Sequence, residues 1–99
     1  MIVIVAGPSN NDLRADLDST VFGEGGFVFV SVYGEITNTG DQPASGIVTI
    51  KVWDGVGWQS FAETTGLIEP HGATDFGWLH LFESADASEF EVEWTVVEA

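Results

Sequence analysis

Apolar and acidic residues alternate strictly near the end of this 99-residue chain. The apolar positions are Phe90, Val92, Trp94 and Val96, and the positions between them are Glu89, Glu91, Glu93 and Thr95. A period of two predicts a β-strand with one face in the core and the other in water. The same period recurs in three other rows: Val28, Val30, Val32 and Ile36; Val48, Ile50 and Val52; and Phe76, Trp78, His80 and Phe82.

Two rows depart from the simple pattern. Gly34 interrupts the first of them, which predicts a β-bulge or a close backbone approach. In the last row Leu79 and Leu81 make the other face apolar too. We therefore expect that face to be covered by a neighbour or by the amino-terminal strand.

Turn-forming residues separate the apolar rows. They lie at 38–43, 54–57, 70–72 and 84–88, and each group is rich in the residue types that favour turns. Segment 7–26 is less regular, because Leu13, Ala15 and Leu17 fit a strand while Asp12 fits the cap of a helical turn equally well; residues 23–26 are expected to form a loop. We predict a single domain over 1–99, with an all-β fold: an immunoglobulin-like antiparallel β-sandwich of about seven strands.

The segment Asp54-Gly55-Val56-Gly57 is a strong β-hairpin signal. If the hairpin closes around Gly55 and Val56, Trp53 lies opposite Trp58 and Ile50 lies opposite Phe61. Two faces follow from this register. The predicted core face has Val48, Ile50, Val52 and Phe61, and the predicted outer face has Lys51, Trp53, Trp58 and Ser60.

Charge restricts the possible partners of the chain. Sixteen carboxylates against two basic residues give a formal net charge of −14. Affinity for phosphates comes largely from Lys and Arg, so we expect no nucleic-acid partner and no attraction to an anionic membrane. The apolar opening at 1–6 is far shorter than the roughly 20 residues of a membrane span, so no membrane insertion is expected.

The distribution of the acids favours one explanation over two others. They are dispersed along the chain, and lysine is almost absent. A basic partner would require a localised acidic patch, and plain solubility is a third explanation. Dispersed acids with so little lysine are typical of haloarchaeal proteins. The carboxylates of such a protein repel one another, and concentrated salt screens this repulsion. The sequence therefore predicts a salt-adapted chain.

Few residues suggest chemistry or a metal. No cysteine is present, and His71 and His80 are not spaced to share a zinc ion. Side chains with oxygen atoms that could bind calcium occur at Asp16 and Asp18 and at 10–12. Neither group fits an EF-hand loop. Alternation turns Glu91 and Glu93 toward solvent, where a carboxylate is a poor acid at neutral pH. We expect no catalytic residues, no metal site and no cofactor.

Three stretches of the middle of the chain resemble the FxLYD domain family, a small immunoglobulin-like β-sandwich module. Val32-Tyr33-Gly34-Glu35-Ile36-Thr37-Asn38-Thr39 is similar to the family's Gly-Glu-aliphatic-x-Asn strand and turn. Ile50-Lys51-Val52-Trp53-Asp54 resembles the Phe-x-Leu-Tyr-Asp pentad, with Ile50 in place of its aromatic residue. Leu67-Ile68-Glu69-Pro70-His71-Gly72-Ala73-Thr74-Asp75-Phe76 resembles the proline-glycine segment before a strand. The resemblance is strongest over 30–76.

The resemblance implies a non-catalytic domain of secreted or cell-surface proteins in bacteria and archaea, with no established ligand. No basic leader precedes the domain in this sequence, so an extracellular or cell-surface location is suggested by the resemblance alone. The expected function is that of a binding or structural module, associated with the cell envelope. A small cytoplasmic protein of this fold stays an alternative.

The residues expected to bind a partner are Trp53, Trp58 and Lys51. Trp is enriched at binding hot spots, and two indoles on an outer face can contact a partner protein or stack on a sugar ring. The competing explanation is a cross-strand aromatic pair that only steadies the hairpin. Protein and carbohydrate are therefore the two candidate partners, and Trp78 and Trp94 are expected in the core.

Overall fold

The computed structural model describes residues 2–5, 12–84 and 86–99, with 2–5 described by their backbone. Its elements are β1 (Ile2–Val5), β2 (Leu13–Glu24), β3 (Phe27–Asn38), β4 (Ala44–Trp53), β5 (Trp58–Ile68), β6 (Ala73–Glu83), a 3-10 turn (Ala87–Glu89) and β7 (Glu91–Glu98). The chain is thus all-β, as the alternating pattern predicts.

The strands form two sheets. The four-stranded sheet has the order β1-β7-β4-β5, and the three-stranded sheet has the order β2-β3-β6. Every pairing is antiparallel except that of β1 with β7, which is parallel and aligns Val3 with Trp94. The predicted antiparallel arrangement is found in all the other pairs, and this pair departs from it. Its cause is topological: β1 comes from the other end of the chain and joins β7 along its free edge.

One cluster of buried side chains contains residues of both sheets. The three predicted rows of β3, β4 and β7 all contribute to it, and their Val and Ile side chains are completely buried. Trp94 is 1% exposed, and Trp78 packs against the cluster from β6. The alternation therefore assigns the buried face of these strands correctly.

In the irregular segment 7–26, the described residues from 13 to 24 form a strand rather than a helical turn, and 7–11 lie outside the described residues. Leu13 and Leu17 are buried on β2, which pairs with β3 along its full length. The expected loop at 23–26 is wrong in its first half, because β2 continues through Gly23 and Glu24. The turn itself is made by Gly25 and Gly26, which both have positive φ.

Gly34 lies where the backbone of β3 comes close to that of β2. Its φ is +148°, and a Cβ at this position would overlap the carbonyl oxygen of Asp16. A side chain at this position would collide with the neighbouring backbone. The predicted close approach is confirmed.

Asn38 is the one buried polar residue among the described residues. Its Nδ2 donates to the carbonyl oxygens of Gln42, at 2.7 Å, and Ile68, at 3.0 Å, and its Oδ1 accepts from the amide of Gly40 at 2.9 Å. Its own amide donates to the carbonyl of Gly72. The side chain thereby joins the turn after β3 to the end of β5.

Within the described residues, no helix is long and apolar enough to span a membrane.

Candidate functional site

The candidate site starts at the turn between β4 and β5. The carboxylate of Asp54 accepts two hydrogen bonds at Oδ1, from the amides of Val56 and Gly57, both at 2.9 Å. Its Oδ2 accepts a third from Nε2 of Gln59 at 2.8 Å. These three hydrogen bonds hold the pKa of Asp54 below its ordinary value of 3.8, and the one from the Gly57 amide has the largest effect. Gly55 has the positive φ that such a tight turn requires.

This turn fixes the register of the hairpin. Trp53 pairs with Trp58 and Ile50 pairs with Phe61, so both predicted pairs are confirmed. The Trp53 and Trp58 ring centroids lie 5.6 Å apart at an angle of 55°. That tilted geometry is one that aromatic rings favour. The Trp58 side chain is 50% exposed and Trp53 is half-buried, so the pair presents one indole to solvent.

Lys51 lies two residues before Trp53 on the same outer face. It pairs with Ser60 on β5 and with Glu93 on β7. Together with Thr49, Glu93, Trp94 and Thr95 it lines a shallow cavity of about 120 Å³. The three residues predicted to bind thus share one face, at the end of the hairpin and beside this small depression.

This arrangement suits binding through an aromatic surface and adjacent hydrogen-bonding groups. Two threonine hydroxyls, one ammonium and one carboxylate lie around the cavity, and an exposed indole lies beyond them. Such a combination can stack on the apolar side of a ligand and hydrogen-bond its polar side. It holds no buried or activated nucleophile among its described residues.

The two histidines lie in unlike environments. The Nε2 of His71 is 2.8 Å from Oδ1 of Asp41, and both side chains are exposed. His80 faces the interior and packs on rings: the centroid of Phe61 and that of Phe82 each lie 4.7 Å away, and Trp78 stacks on it at 5.9 Å. One histidine therefore binds a carboxylate in a turn, and the other is part of an aromatic cluster.

The acidic side chains considered for calcium are also separated. Asp16 and Asp18 are exposed on the outer face of β2, and residues 10 and 11 lie outside the described residues. Among the described residues, no three carboxylates or histidines lie close enough together to hold a metal ion. Glu91 is exposed and Glu93 lies at the rim of the small cavity.

Sequence analysis missed a second uncharged surface, on the outer face of the three-stranded sheet. Phe22 on β2 pairs with Phe29 on β3, and Phe29 pairs with Leu81 on β6. The two phenyl rings are stacked 4.9 Å apart at 8°. The signal was present in the sequence: Phe27, Phe29 and Tyr33 alternate with buried valines, so both faces of β3 are apolar there. Leu79 and Leu81 are both exposed, and β1 pairs with β7 in the other sheet, so the expected cover by the amino-terminal strand is wrong.

Comparison with protein-family models gives no match to this sequence, and comparison with curated proteins gives none either.

Proposed function

We propose that this chain is a non-catalytic, immunoglobulin-like β-sandwich module that acts by binding, with Trp53, Trp58 and Lys51 as its contact residues. The observation that carries the proposal is the half-exposed indole of Trp58, held against Trp53 at the tip of an ordered hairpin. Trp is enriched among the residues that contribute most to binding, and Trp58 is only partly covered by Trp53.

The sandwich assignment is supported by the way the sheets share one core. Both sheets direct their alternate residues into the same buried cluster, which is the arrangement of two packed sheets. The connections also cross between sheets: β3 pairs with β6, and β4 pairs with β7. Crossing connections of this kind are typical of Greek-key sandwiches.

Membership of the FxLYD family is a proposal that rests on the three motifs. The structure gives each motif a physical role that favours it. Asn38 satisfies two backbone groups of the turn that follows the first motif, and the carbonyl of Ile68 at the end of β5. The second motif supplies two completely buried residues, Ile50 and Val52, with Trp53 outward. The third forms the turn at 70–72 that separates β5 from β6.

Salt adaptation is proposed for the same chain because most carboxylates lie on outward positions of strands. On β2 and β6 the acidic residues alternate with residues that face the core. Among the described residues, no Lys or Arg side chain forms a salt bridge with a carboxylate, and the contact of His71 Nε2 with Asp41 Oδ1 at 2.8 Å is the only one between a basic and an acidic side chain. The negative charge is therefore balanced by solvent ions rather than by lysine or arginine.

Carbohydrate is a second candidate ligand, and one observation favours it. Thr49, Lys51, Glu93 and Thr95 place hydroxyl, ammonium and carboxylate groups around the cavity beside the indoles. A sugar ring offers an apolar face for an indole and hydroxyl groups for such neighbours. A partner protein would use the same indole as an anchor.

A glycan array probed in molar KCl, with wild-type protein and Trp58→Ser side by side, tests the proposal. Binding of a glycan that Trp58→Ser abolishes, while the variant stays folded, is the expected result for the carbohydrate candidate. Glycan binding that Trp58→Ser leaves unchanged would show that these indoles are not the contact residues.

A further inference from the structure

The outer face of the three-stranded sheet has an exposed apolar patch: Phe22, Phe27, Phe29, Tyr33, Leu79 and Leu81. Five of these are more than a third exposed, and Leu79 is the most exposed of them at 62%. Since an aromatic side chain has roughly 200 Å² of surface, the exposed parts together cover on the order of 400 Å². A patch of about 300–600 Å² is the largest that a typical soluble monomer has, and it is often functional.

Carboxylates lie at both ends of this patch, and Asp18 lies beside Tyr33, one row inside the second of these ends. At one end Glu24 and Glu83 flank Phe27 in the same cross-strand row. At the other end Asp16, Glu35 and Asp75 form a complete row of three acids, one on each strand. The two rows are eight residues apart, which corresponds to about 27 Å along the strands.

The patch therefore has a defined size and charge. Its three strands span about 10 Å across, from the spacing of neighbouring strands, and this is the diameter of an α-helix. A helix about 27 Å long has about 18 residues at its rise of 1.5 Å per residue. A segment that matches the patch is apolar along one face and basic at both ends.

We propose that this face binds an amphipathic helix of a partner protein, apolar along one side and with Lys or Arg in its first and last turns. The apolar side packs on Phe22, Phe29 and Leu79, and the basic ends lie over the two acidic rows. This names a partner class for the proposed binding module, on the opposite sheet from Trp58. It rests on that function being binding.

A second copy of this chain fits the patch less well. Stacking patch on patch brings the row of Asp16, Glu35 and Asp75 opposite a carboxylate row of the other copy, whether the strands run parallel or antiparallel. Like charges face each other at both ends in either case, and each copy has a net charge of −14. Charge complementarity therefore favours a basic partner over self-association.

The experiment is a fluorescence-anisotropy titration of a labelled 18-residue helical peptide, with leucine along one face and lysine in the first and last turns. It is made at the lowest KCl concentration at which circular dichroism shows the protein folded. The control peptide has glutamate in place of lysine. We expect saturable binding of the lysine peptide, and at least tenfold weaker binding of the glutamate peptide.

Two exposed leucines give a matched pair of protein variants. Leu79 is 62% exposed within the patch, and Leu67 is 68% exposed on β5 of the other sheet. We expect Leu79→Asn to weaken peptide binding about tenfold and Leu67→Asn to change it less than twofold. Leu81→Asn provides a second patch variant, should Leu79→Asn fail to fold.

Three results would overturn the proposal: no saturable binding of the lysine peptide, equal binding of both peptides, or equal effects of Leu79→Asn and Leu67→Asn. A wild-type dimer in light scattering that Leu79→Asn converts to a monomer would assign the patch to a second copy instead. Trp58→Ser should leave peptide binding unchanged. If the wild-type protein binds no lysine peptide but binds a glycan in a Trp58-dependent way, this inference is refuted and the proposed function stands.

Discussion

Removing the side chain of Asn38 should destabilise the fold more than any exposed polar substitution. Asn38→Ala removes three hydrogen bonds, to the carbonyls of Gln42 and Ile68 and from the amide of Gly40. The Ile68 carbonyl is left buried without that donor, which costs about 1–3 kcal/mol. The other two bonds lie at partly buried groups that water can reach, so each contributes about 0.5–1.5 kcal/mol.

The expected loss in the free energy of unfolding is therefore about 2–6 kcal/mol, centred near 4 kcal/mol. For a domain of this size each kcal/mol lowers Tm by about 4–8 °C, so a loss of about 4 kcal/mol should lower Tm by roughly 16–32 °C. The assay is thermal and denaturant unfolding followed by circular dichroism in molar KCl. Asn38→Asp should be at least as destabilising at neutral pH, because a carboxylate would then face two carbonyl oxygens.

Thr39→Ala is the matched control, one residue further along the same turn. The Thr39 hydroxyl donates to the carbonyl of Asp12 at 2.7 Å, and this bond is exposed. Its loss should cost less than about 1 kcal/mol, since water replaces it. The reasoning would be refuted if Asn38→Ala cost no more than Thr39→Ala.

Four further results are expected. Thermal unfolding should shift strongly upward between dilute buffer and molar KCl, because salt screens the repulsion among the carboxylates; an unchanged Tm would contradict salt adaptation. Trp58→Ala should cost about 0.2–1 kcal/mol of unfolding free energy as a cross-strand pair, and a loss above about 3 kcal/mol would make Trp58 a core residue instead. Gly34→Ala should destabilise the fold by more than about 2 kcal/mol, because its Cβ would collide with the Asp16 carbonyl; a neutral effect in denaturant unfolding would exclude that close approach. The pKa of Asp54 is lowered on folding by its turn hydrogen bonds, so its ionised form stabilises the fold above pH about 4 and this contribution is lost as the pH falls further. The difference in the free energy of unfolding between the wild type and Asp54→Asn should shrink below pH 4. A difference that does not depend on pH would contradict this role of the Asp54 carboxylate.

Much of the fold follows from the alternation of apolar and polar residues along the strands. The rows on β3, β4 and β7 identify their buried faces because each apolar residue there alternates with a polar one. The hairpin register follows as well, since the glycines at 55 and 57 leave one way to close the turn around Val56. These are local properties, and a local pattern is sufficient to predict them.

The remaining features depend on contacts between distant segments. The parallel pairing of β1 with β7 joins the two ends of the chain, and four apolar residues contain no signal for their partner strand. The stacking of Phe22 on Phe29 requires the β2–β3 register, which becomes visible only once Gly25 and Gly26 are known to form the turn. For the same reason the acidic row of Asp16, Glu35 and Asp75 cannot be read from any one strand.

The central claim is that this chain acts by binding through uncharged aromatic surface on an otherwise acidic fold. The most direct measurement is an array of glycans and amphipathic peptides, probed in parallel with wild type, Trp58→Ser and Leu79→Asn under conditions in which all three are folded. The account predicts that wild type binds members of at least one class, and that each variant loses the ligands of its own face while keeping those of the other. Identical array patterns for the three proteins would contradict it.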